Sequence, residues 1–201
     1  MAAGDPRNII SQPAWLWYAP EEEPEPDETT IEVGDDWGGN WEWIGFTVEP
    51  LVETEAVTTF EILVQQLTTP VHQEITEERK TLTTTLAEQT PEIIKLLEGG
   101  NITVTAPGAS QVGMSEVRSG GRVARARYKV GFETITVDAL GNRLPLRVFY
   151  HIATFAKGGG TSFGKGAVAG IPISIEVFAD PSQPENEKIK LWQRVTAPVT
   201  P

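Results

Sequence analysis

The sequence predicts a mainly β fold, a β-sandwich or barrel-like domain with one short flanking α-helix and extended arms and loops. Three observations predict it. Segments rich in Thr, Val and Ile, with apolar residues at alternate positions, follow one another from Trp41 to Val195 and are punctuated by Gly and Pro. One segment alone carries helix start and stop signals. A chain of 201 residues is long enough for a proper core, and with no cysteine it contains neither a disulfide framework nor a thiolate metal site. Eight or more strands and one short helix point to a sandwich or barrel.

Residues 1–40 read as an acidic, Trp-anchored arm with a first strand, 41–196 as a single β domain, and 197–201 as a tail. Of 28 acids, fourteen lie in residues 1–56 with one base, Arg7, a net of −13; residues 57–201 carry fourteen acids and fifteen bases, net +1. The whole excess behind the total of −12 therefore belongs to the first quarter. Pro13, Pro20, Pro24 and Pro26 bracket the acidic run from Glu21 to Glu28, which predicts an extended solvated loop. Trp15, Trp17, Trp37, Trp41 and Trp43, large amphipathic rings favoured at interfaces, predict that the arm is anchored on both sides of that loop.

A first strand of the domain is expected over 41–48 and a second over 58–65, the latter alternating Thr58, Phe60, Ile62 and Val64 with Thr59, Glu61 and Gln65. Val71 and Ile75 fall on odd positions, but Leu82, Thr84 and Leu86 on even ones, so a turn or bulge is expected near 76–80. Thr90 as N-cap, Pro91 at the first position, Glu92 in the first turn and Gly99-Gly100 at the end predict a helix over 91–98. Two turns are marginal alone, so its apolar residues, Ile93, Ile94, Leu96 and Leu97, must lean on a sheet. Then come Asn101–Thr105, a loop around 107–121, and a strand with Ala124, Ala126, Tyr128 and Val130 on one face and Val123, Arg125, Arg127 and Lys129 on the other. Phe132–Val137, a turn at Gly141-Asn142 and Leu144–Phe155 predict a long hairpin. Leu144, Leu146, Val148, Tyr150 and Ile152 are assigned to one face and Phe149 and Phe155 to the opposite one. A Gly-rich loop over 156–170 and strands at 171–177 and 189–195 complete the chain.

Catalytic chemistry is poorly supported. Gly159-Gly160-Thr161-Ser162-Phe163-Gly164-Lys165-Gly166 has phosphate-loop spacing, but Gly166 replaces the magnesium-binding hydroxyl and a strand follows where a helix must open. His72 and His151 have no carboxylate or second histidine at ligand spacing, and Ser115 sits in no nucleophile elbow. No catalytic residue, metal site or cofactor is assigned, and a non-enzymatic protein is expected. No run approaches eighteen apolar residues and the start lacks signal-peptide features, so a soluble protein without membrane insertion is expected. The basic positions Arg125, Arg127 and Lys129 lack the interleaved exposed aromatics of single-strand binders. They are candidates for pairing with acidic surface, on the same subunit or a neighbour.

Several phrases, in order, resemble the major tail tube proteins of long, non-contractile-tailed bacteriophages over roughly 8–195. They are Ala14-Trp15-Leu16-Trp17-Tyr18-Ala19-Pro20 before an acidic stretch, and Trp41-Glu42-Trp43-Ile44-Gly45-Phe46-Thr47. Phe60–Val71 with Thr76-Glu77-Glu78 follows, then Thr81-Leu82-Thr83-Thr84-Thr85-Leu86-Ala87-Glu88 leading into the helix. The resemblance implies a virion protein, made in the host cytoplasm, whose hexameric rings stack into the tail tube that conducts double-stranded DNA. It implies further copies of this chain, tape measure, terminator and distal tail proteins as partners. It would place Glu61, Gln65, Thr81, Thr83 and Thr85 on the channel wall if the hairpin of Val57–Leu67 and Arg79–Glu88 contributes to it. Trp15, Trp17, Trp41 and Trp43 would anchor the arm, and segments 68–78 and 156–170 would contact neighbouring subunits or rings. The alternative is another β-sandwich interaction module, such as a capsid decoration protein; a carboxylate-dependent hydrolase stands third.

Overall fold

The computed structural model describes residues 13–27, 31–63, 65, 68–121, 124–137, 141–161 and 169–196. The protein is mainly β, with antiparallel sheets in a sandwich-like arrangement and one short helix. In chain order the strands are β1 (Trp15–Pro20), β2 (Glu42–Trp43), β3 (Val52–Ile62), β4 (His72–Leu86), β5 (Asn101–Thr105), β6 (Met114–Arg118), β7 (Tyr128–Val137), β8 (Arg143–Lys157), β9 (Ile171–Phe178) and β10 (Lys190–Arg194); helix α1 (Pro91–Glu98) lies between β4 and β5. The principal sheet runs β2-β1-β7-β8-β9-β4-β3, with β10 beside β8, and β5 and β6 form a separate hairpin.

The expected strand over 41–48 is two short pieces with different partners. Trp43 and Glu42 pair with Trp17 and Tyr18 of β1. Beyond Gly45, whose φ of 103° lies in the left-handed region, Thr47 bridges to Leu86 of β4. Backbone bonds from Ile44 N to Leu16 O (3.0 Å), Val48 N to Thr85 O (2.8 Å) and Ala87 N to Phe46 O (2.7 Å) complete both joints. Segment 42–48 thus joins the two ends of the path β1-β7-β8-β9-β4 and closes it into a barrel-like layer. Leu16, Ile44, Leu82, Leu86, Val130, Val148, Tyr150, Phe155, Ile173 and Ile175 fill the interior, and Ile93, Leu96 and Leu97 of α1 plug it. The helix is punctuated as its residues predict: the Thr90 side chain accepts from Ile93 N, Pro91 opens the first turn, and the Gly99 N–H donates to Lys95 O.

The alternation of β8 holds only through Tyr150. Opposite β7, Val130 faces Tyr150 but Tyr128 faces Ala153, so β8 carries one extra residue between them. This bulge turns Ala153 and Phe155 to the side of Val148 and Tyr150, and the expected assignment of Phe155 to the face of Phe149 is overturned. At the same place the neighbour of β8 changes, from β10 alongside Leu146–Tyr150 to β9 alongside Ile152–Lys157. Two further expectations fail. The loop over 107–121 contains β6, which pairs with β5. The strand expected from 124 begins only at Tyr128, leaving Arg125 and Arg127 outside it; Arg122 and Val123 lie outside the described residues.

Candidate assembly surfaces

The acidic arm is fastened to the barrel instead of extending into solvent. Trp17 and Trp37 stack at 5.1 Å, and Trp41 meets Trp37 edge-on at 5.0 Å over Phe149 on the outer face of β8. Gly131 of β7 makes room for them, because a Cβ there would lie 2.6 Å from the Trp37 ring. Under the arm Arg147 and Glu133 form a fully buried ion pair at 2.6 Å. The arm satisfies both: the Gly34 N–H donates to Glu133 Oε1 (2.7 Å), and Arg147 donates to the carbonyls of Ile31 (3.0 Å) and Glu32 (3.2 Å) while lying over Trp37.

The basic positions meet the arm as well. Lys129 Nζ donates to Glu23 O (2.6 Å) and Glu25 Oε1 (2.8 Å), and Arg127 lies 4.0 Å from Glu21. Arg125 faces Glu176 of β9 at 3.6 Å. Burial opposes ionisation of Glu25, but the hydrogen bond and charge of Lys129 outweigh it and hold the carboxyl below the ordinary range. Part of the acid in the first quarter is therefore neutralised inside the same chain. Of the tryptophans assigned to the arm, Trp17 and Trp41 are buried and Trp15 is half-buried, whereas Trp43 is exposed and packs edge-on against Phe46 at 4.7 Å. Trp37, counted among the rings of the arm but not assigned as an anchor, is the centre of the cluster. Arg147 and Glu133, directly opposite each other on β8 and β7, are signalled in the sequence only by lying among largely apolar residues.

The second surface is the ribbon of β3 and β4. All of β3 and the first eight residues of β4 are exposed. Only Lys80–Leu86 of β4 pair with β9, so the ribbon leaves the barrel at about Arg79 with the edge of β3 and the edge of His72–Arg79 both open. Thr58 faces Glu77 while Thr59 faces Ile75, so Thr76 is the extra residue, a bulge inside the window that the alternation predicted. The strand continues through it. Val52, Thr54, Ala56, Thr58, Phe60 and Ile62 share one face with Thr81 and Thr83; Glu53, Glu55, Val57, Thr59 and Glu61 share the other with Lys80 and Leu82. The five positions assigned to a channel wall are thus not one surface. Thr81, Thr83 and Thr85 lie on the first face and Glu61 on the second, while Gln65 is at the exposed tip; the reason is the register, which sets Thr81 and Thr83 opposite Thr54 and Val52, even positions of β3, so that the odd position Glu61 takes the other face. Apolar side chains remain in water along the ribbon, among them Phe60 (55 % exposed) and Ile75 (61 % exposed).

Among the described residues no group of three or more His, Asp or Glu is placed to hold a metal, and no helix is long and apolar enough to cross a membrane. The phosphate-loop-like stretch has Ser162–Val168 outside the described residues. His72 is on the exposed ribbon, whereas His151 is buried with Nδ1 3.8 Å from Glu25. No family model and no curated protein matches the chain, so the fold and its surfaces carry the functional argument.

Proposed function

We propose that the protein is a non-enzymatic virion subunit that self-assembles into stacked, hexameric rings forming a phage tail tube for DNA. The observation that carries this reading is the β3–β4 ribbon. A two-stranded ribbon with no buried residue is marginal in water, and two long open edges are pairing templates that a monomer ordinarily blunts. The edges suit a ring. β3 and β4 run antiparallel, so the β3 edge of one copy meets the His72–Arg79 edge of the next in antiparallel sense under rotation about an axis along the ribbon. That contact is head-to-tail, and repetition closes it into a ring in which no edge is left over. The face of Thr54, Thr58, Thr81 and Thr83 points away from the barrel interior. Turned to the channel it would offer these hydroxyls together with the apolar side chains of Val52, Ala56, Phe60 and Ile62 and few cations, a wall to which DNA does not adhere through phosphate neutralisation. Tape measure, terminator and distal tail proteins are the partners this role requires.

The test is negative-stain electron microscopy with sedimentation over rising protein concentration, on the natural chain and on a Phe60→Glu/Ile62→Glu variant. Rings or tubes from the natural chain, and a folded monomer from the variant, are expected. A natural chain that stays monomeric at high concentration and with tail completion proteins supplied overturns the reading. Binding to a preformed capsid lattice without self-stacking would move the assignment to a decoration protein.

A further inference from the structure

The ribbon of β3 and β4 is not a regular ladder. Thr58 faces Glu77 and Thr59 faces Ile75, so Thr76 stands on β4 with no residue opposite it. Its own side chain holds the irregularity, the Thr76 hydroxyl donating to Thr58 O at 3.1 Å. On the outer side of the bulge Gln73 Nε2 donates to Thr59 Oγ1 and to Glu61 Oε1, each at 3.2 Å, and fixes the register there. Nothing in the subunit's core requires the extra residue, because both strands are exposed around it and β9 covers only Lys80–Leu86. The bulge in β8 sits where that strand exchanges β10 for β9 as its neighbour. The bulge in β4 likewise lies where the strand has left β9 and, among the described residues, has no neighbour on that edge.

We propose that Thr76 is a positioning residue for ring closure, a role that rests on the tail-tube reading. A head-to-tail contact yields a ring only if the rotation from copy to copy closes, and an open array if it does not. A bulge bends the strand that carries it and adds right-handed twist, and bulges at barrel rims are how curved sheets close. The bend at Thr76 lies inside the stretch whose edge is open to the next copy, so it is repeated at every subunit contact and accumulates around the ring. Without it, successive ribbons would run on as a flatter sheet. Thr76 thus sets curvature, while the edges of β3 and of His72–Arg79 supply the contact itself.

Deletion of Thr76 isolates that role. Glu77 and Ile75 then follow one another opposite Thr58 and Thr59, so every cross-strand pair keeps its partner and its face while the bulge is lost. Insertion of a threonine between Thr58 and Thr59 regularises the ladder from the other strand, giving Thr76 a partner and turning Thr59–Ile62 over. An effect common to both variants therefore belongs to the bulge. Both changes lie outside the core, so the thermal melt should be unchanged. In negative-stain electron microscopy the natural chain should form rings or tubes of one diameter, and both variants wider ones or unclosed ribbons. Either folded variant overturns the proposal if it keeps the natural diameter, since the bend then sets no curvature. It does so equally if it fails to assemble, since the bulge then serves the contact. If the deletion does not fold, the insertion decides by the same measure. A natural chain that never assembles overturns the tail-tube reading and the role of Thr76 with it, whereas natural tubes matched by both variants overturn the role of Thr76 alone.

Discussion

Strands β8 and β4 are each fifteen residues long and neighbour the same strand, β9, yet their surroundings are opposite. From Leu144 to Ala156 every residue of β8 is buried, whereas His72–Arg79 of β4 are all exposed. β8 has β7 along one edge, β10 and β9 along the other, the core on one face and the arm on the opposite face. The outer half of β4 has β3 on one edge and, among the described residues, nothing on the other edge or on either face. The chain thus makes its own cover for one strand and, among the described residues, leaves the outer half of the other uncovered. The contrast separates residues that hold the fold together from residues that, under the proposed function, would hold subunits to each other.

The same substitution in the two strands tests the contrast most severely. Arg147→Ala in β8 leaves Glu133 charged and buried without its partner, and removes the donors to Ile31 and Glu32 that hold the arm. Loss of about 3–5 kcal/mol in denaturant unfolding is expected. Arg79→Ala in β4 removes only an exposed pair with Glu77 and should change monomer stability by less than about 0.5 kcal/mol. Similar losses at both positions would mean that the ribbon is part of the subunit's own cooperative unit.

A smaller effect sharpens the account of how β8 is covered. Gly131→Ala would place a methyl 2.6 Å from Trp37 and 3.0 Å from Phe149. Trp37 cannot retreat, being held between Trp17 and Trp41, so the arm must shift outward. A cost of about 1–3 kcal/mol and a red shift in tryptophan emission are expected. A neutral substitution would show that the arm is loosely seated.

Much of this architecture is legible in the residues. The helix at Pro91–Glu98 is announced by Thr90, Pro91 and Gly99, because capping chemistry is local. The bulge at Thr76 is announced by the phase change between Ile75 and Leu82, since alternation records which face each residue takes. The bulge in β8 leaves no such mark. Around it Phe149, Tyr150, Ile152, Ala153 and Phe155 put apolar or aromatic side chains on both faces, so Phe155 gives no sign of having changed sides. Strand β6, Met114–Arg118, is short and lies on a sheet of two strands with little burial, and its residues carry no alternation to betray it. The fastening of the arm was half visible. Tryptophans and an acid run predict contact with something, but only the fold brings Lys129 and Arg147 from distant strands beneath Glu25 and Ile31. A depression beside Trp43 is likewise a product of closure, which brings Tyr18 of β1 and Trp43 of β2 beside Glu92 of α1.

The gentlest test concerns the electrostatic part of that fastening. Glu25 accepts from Lys129 Nζ at 2.8 Å, with His151 Nδ1 3.8 Å away and the Glu23 carbonyl sharing the same ammonium. The folded-state pKa of Glu25 lies below its ordinary value. Its contribution is therefore fully present above the unfolded pKa of about 4 and is lost as pH falls through the depressed folded value. Glu25→Gln keeps the shape and removes the charge. Near neutral pH the variant should be less stable than the natural chain by under about 1 kcal/mol, because the carboxylate is partly exposed and screened. Unfolding measured from pH 7 down to pH 3 should show that gap closing at the acid end, where the natural Glu25 is itself losing its charge. A gap that stays constant across the range would mean that the arm is held by its tryptophans alone, and that Lys129 and Glu25 meet on the surface without fastening it.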